Sequence, residues 1–378
     1  MAGKRCNPFI NAPLKLWGVC LMSLSTIVFV SQVIYGMILG FLWSRNGEMP
    51  EDRFLRFHKI MQRLLATDLR LHPWLSCQVH NPHGETFERG AIAICNHQSM
   101  VDTLCMLILS PRLLMVTNER VGRNPILRRV FKHAGFTTIG NSVEELMAYC
   151  KRQTLRGYTV IIFPEGERSA DCDIKRFHNG AFHIARELEL DILPLYLHGS
   201  GHVLPLHRAF QNKGSFYVEI GKRIPPSLDK ATDPREQAIR MRHHYQERYE
   251  EICRRLETAH YFSGIVGDLF SRLWLGRHAR RLLRSHDDFS HWIDRSLPET
   301  HSLLIEDHTK GVFTLLFALV HPFTPISVTG AQELRRLYGR YEHLPANINF
   351  IDGANLLAGE EHRPLYAIKG LANVSIAI

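Results

Sequence analysis

Between Cys77 and Gly221, short apolar runs alternate with stretches of helical period, and no other feature restricts the fold of this chain as much. The runs Ala91–Cys95 (AIAIC), Leu113–Thr117, Tyr158–Phe163 (YTVIIF), Ile192–Tyr196 and Phe216–Ile220 are short and apolar, as buried strands are. Helical patterns lie between them at Asp102–Leu109, Pro125–Ala134, Val143–Arg156 and Gly180–Leu190. A strand that is followed by a helix and then by another strand pairs most readily in parallel. The pattern therefore predicts an α/β domain with a mainly parallel central sheet and flanking helices. In such sheets the reactive groups gather just beyond the strand ends.

The flanking segments differ in character. Leu14 to Trp43 has no charge after Lys15 until Arg45, which exceeds the roughly 20 apolar residues that cross a bilayer core. It predicts an N-terminal membrane helix, and its Gly36 and Gly40 form a GxxxG pair. Arg53–Leu71 then places Phe54, Phe57, Ile60, Met61, Leu64 and Leu65 at helical spacing, as in an amphipathic helix close to a membrane. Beyond the sheet-forming region, Thr232–Leu256 reads as a long charge-rich helix. In Ser263–Ser285 an apolar face is followed by Arg277, Arg280, Arg281 and Arg284, which suits either a packing helix with a solvated basic end or a helix lying on anionic lipid. From Asp287 onward the runs Leu303–Glu306, Val312–Val320, Ile326–Thr329, Gln332–Tyr341 and Ile348–Ile351 give strand, helix, strand, helix, strand, and Val374–Ile378 reads as a last strand. This is a smaller C-terminal Rossmann-like βαβ unit. The predicted organisation is a membrane-anchoring region over 1–73, the α/β domain over 74–262, a basic linker helix over 263–285 and the C-terminal unit over 286–378.

Composition removes several function classes. Forty-six basic residues against 37 acidic ones give a net charge of +9, which suits nucleic acid, an anionic membrane surface or an anionic substrate. No RNP-type motif, zinc-finger spacing or basic zipper is present, so nucleic acid ranks last. The eight cysteines form no CxxC pair, and a reducing compartment fits them better than a disulfide framework. Among the 22 histidines there is no HExxH and no paired Cys/His spacing, so no metal site is expected; the His243-His244 doublet reads as a solvated helical pair.

Two segments carry chemistry. Asn96-His97-Gln98-Ser99-Met100-Val101-Asp102 directly follows AIAIC and contains H-x4-D. An alcohol that attacks a carbonyl needs a base for its proton, and histidine titrates near neutral pH. In a strand-to-helix turn a spacing of five brings a carboxylate back to the imidazole, where it fixes the tautomer and stabilises the imidazolium. The second segment, Phe163-Pro164-Glu165-Gly166-Glu167-Arg168-Ser169, follows YTVII. Gly166 permits a tight turn, Arg168 offers a planar fork suited to phosphate, and Glu165 could bind a hydroxyl or orient that arginine.

NHQSMVD and FPEGERS together resemble the NHxxxxD and FPEGTRS signatures of the glycerolipid acyltransferases typified by 1-acylglycerol-3-phosphate acyltransferase. Arg176 to Phe182 is similar to that family's F-x-x-G-A-F segment, and Asp191–Leu195 to its apolar-proline strand; the resemblance covers about residues 50–225. It implies His97 as general base and Asp102 as its partner, with Glu165, Gly166 and Arg168 in acceptor binding. It also implies acyl-CoA or acyl-carrier protein as co-substrate, no other cofactor, a membrane lipid acceptor, and a catalytic domain on the cytosolic face of an inner or cytoplasmic membrane.

The chain departs from the family at two points. Gly135 to Asn141 lacks the arginine of the family's G-x-x-F-I-D-R block, and Glu167 replaces a threonine. Both changes make the site less cationic, leaving open a hydroxylated lipid other than lysophosphatidate, or a silent lipid-binding scaffold. Arg120, Arg123 and Lys175 are candidate substitutes. The C-terminal unit resembles a methyltransferase domain only in the order of its elements: its turn Asp307-His308-Thr309-Lys310-Gly311 lacks the glycines of a cofactor loop, which favours a degenerate domain over a second activity.

Overall fold

The computed structural model describes residues 27–44, 49–72, 74–117, 142–169, 172–204, 214–226, 233–269 and 273–285. It also describes most of 131–138, Arg128, 293–294, most of 303–336, 345 and 347–351, and the strands at 365–367 and 374–377. The chain divides into two compact units, Met1–Tyr249 and Glu250–Ile378.

The first unit opens with helix α1 (27–43), followed by α2 (Glu51–Leu71). The first part of the predicted membrane helix Leu14–Trp43 lies outside the described residues. Among the described residues, no helix is long and apolar enough to cross a membrane. The Gly36/Gly40 pair serves close packing within the chain. A Cβ at Gly36 would lie 3.1 Å from the Met61 side chain of α2, and one at Gly40 would lie 2.7 Å from the His133 ring. The opposite face of α1 leaves Ile27, Val30, Ile34, Ile38 and Phe41 exposed. Helix α2 turns Phe54, Phe57 and His58 inward, and Phe54 meets the Tyr158 ring edge-on at 5.4 Å.

The sheet follows: β1 (Leu75–His80), β2 (Ala91–Cys95), α3 (Asp102–Leu107), β3 (Leu113–Thr117), β4 (Thr137–Thr138), α4 (Val143–Leu155), β5 (Thr159–Ile162), α5 (Gly180–Glu187), β6 (Ile192–His198), α6 (Ser200–Val203) and β7 (Gly214–Ile220). Its order is β1-β7-β6-β2-β5-β3-β4. Strands β6, β2, β5, β3 and β4 are mutually parallel, while β7 runs antiparallel to β6 and β1 runs parallel to β7. The mainly parallel sheet is thus as predicted. Every residue of β2 and β5 is buried, which explains why these strands read as unbroken apolar runs. Their C-terminal ends lie side by side, with Ile94 paired to Ile162, so the loops after Cys95 and Ile162 leave the sheet together. Strand β1 escaped prediction because it lies at the sheet edge, largely exposed and with polar residues among its six. Pro125–Ala134 lies mostly outside the described residues.

Helix α7 (Pro234–Leu256) contains the boundary between the units. The second unit holds α8 (Ala259–Leu269), α9 (Leu273–Ser285), β8 (Leu303–Asp307), α10 (Val312–Val320), β9 (Ile326–Thr329), β10 (Ile348–Phe350), β11 (Leu365–Ala367) and β12 (Val374–Ala377). Two expectations are corrected. Ser263–Ser285 is not one linker helix: it forms α9 and most of α8, whose Phe262, Val266, Leu275, Ala279 and Leu283 share a core with Phe313 and Leu316 of α10. The C-terminal sheet, in the order β10-β9-β8-β12-β11, is parallel only across its first three strands; β12 and β11 are antiparallel additions. It is therefore a mixed sheet that keeps the predicted parallel β8-α10-β9 unit but is not Rossmann-like as a whole. Most of Gln332–Tyr341 lies outside the described residues.

Candidate active site

The loop between β2 and α3 carries His97 and ends where α3 begins at Asp102. The turn returns the carboxylate to the imidazole: Nδ1 of His97 lies 2.8 Å from Oδ2 of Asp102. That oxygen also accepts the backbone N–H groups of Gln98 (2.7 Å) and Ser99 (2.8 Å), so Asp102 holds the loop as well as the ring. Asp102 is fully buried, while the His97 side chain keeps 20% of its exposure. With the proton of Nδ1 directed to Asp102, the lone pair of the neutral imidazole is on Nε2, as a general base requires. Phe163, at the end of β5, stacks on the ring at 4.2 Å and fixes its plane.

The FPEGERS turn lies against this loop. Ser169 donates its N–H to the carbonyl of His97 at 2.7 Å. Gly166 has φ +72°, a conformation that costs a side-chain-bearing residue energy, and a Cβ there would come within 3.2 Å of His178. Gly166 and Arg168 line the same cavity as His97. Glu165 does not: its Oε1 accepts the N–H of His97 at 2.8 Å and its Oε2 the N–H of Lys175 at 2.9 Å. Its carboxylate braces two loops, where an acceptor-binding role was expected. Burial pushes that carboxyl up to about 7, against the pull of the Lys175 and His97 amides, and the nearby Asp102 charge adds to the rise.

The cavity has a volume of about 560 Å³, within the range of small-molecule sites. His97, Phe163 and Arg168 stand among its walls, and most of the remainder is apolar: Phe29, Val33 and Met37 of α1, Phe57, Met61 and Leu65 of α2, and Leu104 and Leu107 of α3. A base and a cation in an otherwise greasy cleft suit a molecule with a polar head and a long hydrocarbon chain. Asn141 and the candidate cations Arg120 and Arg123 lie outside the described residues.

Helix α7 supplies residues that hold the His97 loop and that the sequence alone did not single out. The Tyr245 hydroxyl accepts the N–H of Asn96 at 3.0 Å and sits against Asn96 Oδ1 and the Leu195 carbonyl. Asn96 in turn bridges to Leu197 of β6 through both side-chain atoms, at 2.8 and 2.9 Å. The Tyr249 hydroxyl accepts from Gln98 at 2.6 Å, and Arg242 donates to the Lys175 carbonyl at 3.1 Å. A tyrosine pair at i and i+4 in Thr232–Leu256 was the available signal, since a charge-rich helix that keeps two aromatics on one face packs that face inward. The His243-His244 doublet just before them is exposed, as predicted.

In the second unit, the turn after β8 is closed by the chain itself. Buried Asp307 accepts the N–H and hydroxyl of Thr309 at 2.7 and 2.6 Å, and those of Thr314 at 2.9 and 2.7 Å. Phe313 N–H donates to the Thr309 hydroxyl at 3.0 Å. These amides at the start of α10 are therefore already engaged by side chains, where an anionic cofactor group would otherwise find its donors.

Comparison with known proteins places this geometry. Residues 76–198 match the family model described as Acyltransferase. The chain is 26% identical over 159 residues to a 1-acyl-sn-glycerol-3-phosphate acyltransferase of Chlamydomonas reinhardtii, covering 40% of this chain and 48% of the relative. It is 25% identical over 231 residues to a chloroplastic enzyme of the same description from Brassica napus, covering 58% and 64%. The match to the human beta form is 25% over 168 residues, covering 42% and 59%. The chain thus spans between about half and two thirds of the length of these relatives. In fold it is similar to the 1-acyl-sn-glycerophosphate acyltransferase PlsC of Thermotoga maritima, with a TM-score of 0.54 at 19% identity over 63% of this chain and 97% of that one.

Proposed function

We propose that this chain, whose residues 76–198 match the Acyltransferase family model, transfers a fatty acyl group from a thioester to the hydroxyl of a lysophospholipid, with 1-acylglycerol-3-phosphate as the leading acceptor. The observation that carries this reading is the 2.8 Å contact between His97 Nδ1 and Asp102 in the wall of an apolar cavity. The His97 Nε2 lone pair removes the proton of the acceptor hydroxyl as its oxygen attacks the thioester carbonyl carbon. Asp102 stabilises the imidazolium that results. The tetrahedral intermediate collapses by breaking the carbon–sulfur bond, and the imidazolium returns the proton to the leaving thiolate. Ester and free thiol are the products, and no covalent enzyme intermediate is required.

The other roles follow from position. Arg168 is the cation for the acceptor phosphate, and the walls contributed by α1, α2 and α3 take the hydrocarbon chain. The donor is acyl-CoA or acyl-carrier protein. Membrane attachment is supported by the exposed apolar face of α1. A hydroxylated lipid without a phosphate monoester is the second reading, favoured by the absence of an arginine from Gly135 to Asn141. The deciding experiment supplies labelled acyl-CoA or acyl-carrier protein with a panel of lysolipids and other hydroxylated lipids, and identifies products by mass spectrometry. Labelled phosphatidate is the expected product. Transfer to no hydroxylated lipid from either donor would refute the reading.

A further inference from the structure

Helix α9 exposes Arg277, Arg280, Arg281 and Arg284, spaced i, i+3, i+4 and i+7, along a single stripe. The opposite side is fixed, because Leu275, Ala279 and Leu283 are buried in the core of the second unit, so the helix cannot rotate to redistribute its charge. Its thirteen residues include no Asp or Glu. Like charges at these spacings destabilise a helix by about 0.2–0.5 kcal/mol per pair, so the stripe weakens the isolated fold. Arg280 and Arg284 each direct Nε to the carbonyl one turn earlier, at 3.2 Å, which holds both side chains against their own helix. The four guanidinium-bearing side chains border an open cleft of about 530 Å³. At the start of the helix Trp274 is half-buried, and the Lys310 ammonium lies 6.0 Å from its ring.

We propose that this face of α9 docks on the surface of anionic phospholipid bilayers, at a site separate from the catalytic cavity. Charge complementarity selects a negative partner. The continuous row of cations, with Arg280 and Arg284 held against the helix, suits a sheet of phosphodiesters better than one small anion, and the stripe itself offers no aromatic side chains for stacking on bases. The choice of lipid as occupant rests on the proposed function. The consequence is that the protein concentrates on membranes rich in acidic phospholipid whatever acceptor the cavity takes.

The test uses the full chain in vesicle flotation, with phosphatidylcholine alone or mixed with phosphatidylglycerol. Wild type is expected to bind the mixed vesicles more tightly, and to lose that increment in about 1 M salt, where the Debye length is about 3 Å. Each arginine contributes about fivefold to the increment, so R277Q/R280Q/R281Q/R284Q lowers it by roughly 600-fold. Binding to phosphatidylcholine alone and acyl transfer in detergent micelles stay unchanged, and the melting temperature holds or rises slightly as the like-charge repulsion is relieved. A quadruple Arg→Lys variant keeps the increment, because a surface potential reads charge and not guanidinium shape. The proposal is overturned if wild type shows no preference for anionic vesicles, if the Gln variant keeps it, if the Lys variant loses it, or if duplex DNA displaces the protein from the vesicles. Absence of acyl transfer alongside intact, arginine-dependent vesicle binding would refute the proposed function and leave this surface standing.

Discussion

Asp102 gathers three donors on one oxygen, while its other oxygen, Oδ1, is buried and has no hydrogen-bond partner among the described residues. The buried charge is thus concentrated toward the imidazole and the loop amides. Asp102→Asn keeps a carbonyl that can accept from Nδ1, but removes the charge that stabilises the imidazolium and places an amide group where no acceptor waits. We expect kcat to fall by about 10²–10⁴ with a much smaller change in acceptor KM, measured by steady-state acyl transfer. Glu165 makes a different prediction. Its carboxyl is raised from 4.5 to about 7, so the folded chain binds a proton that the unfolded chain has already released. The stability this contributes is complete below about pH 4.5 and is lost as pH rises through about 7. Glu165→Gln, which cannot titrate, should flatten this part of the melting-temperature profile and lower stability by about 1–3 kcal/mol, because an amide cannot accept from both backbone N–H groups. A profile that is unchanged in slope would contradict the assignment. The residues of H-x4-D could be read directly, since five positions across a strand-to-helix turn set their meeting. The bracing role of Glu165 could not, because its partners are amides 68 and 10 positions away that carry no side-chain signature.

Among the elements, α7 departs most from its sequence appearance. Its charges face outward, yet Tyr245 and Tyr249 hold the two residues that flank His97. Tyr245→Phe removes the hydroxyl between Asn96 and Leu195. It should lower kcat several-fold while leaving acceptor KM in place, and shift the pH profile of kcat as the imidazole loses its fixed position. A general loss of folding would instead lower the active fraction without moving the profile. Strands β2 and β5 were legible because burial on both faces leaves only apolar residues. Helix α10, VFTLLFALV, was legible for the same reason. Strand β1 and the three-residue β11 were not, since pairing at an edge imposes little on composition.

Across the whole molecule, the alternating pattern foretold the parallel sheet. It did not reveal that α8 and α9 belong to the core of the second unit, because a helix with one apolar and one basic face fits a linker, a membrane surface or a packed domain equally well. Only the tertiary partners Phe313 and Leu316 show that the apolar face is taken up by the domain core, which leaves the basic face outward. Helix α1 presents the same ambiguity with the opposite sign: its exposed Ile34 and Ile38 have no use in water. Burying such a side chain in lipid is worth about 1.5–3 kcal/mol, so an Ile34→Asp/Ile38→Asp variant should move from the membrane fraction to the supernatant at least tenfold on fractionation, while retaining its melting temperature.

If His97 is the base in acyl transfer, a His97→Ala chain folds and binds vesicles but loses its turnover. With labelled acyl thioester and 1-acylglycerol-3-phosphate in detergent micelles, its turnover should fall by at least about 10²–10⁴, while the melting temperature and vesicle binding match wild type. Turnover within a few-fold of wild type in a purified, folded His97→Ala chain would contradict that role.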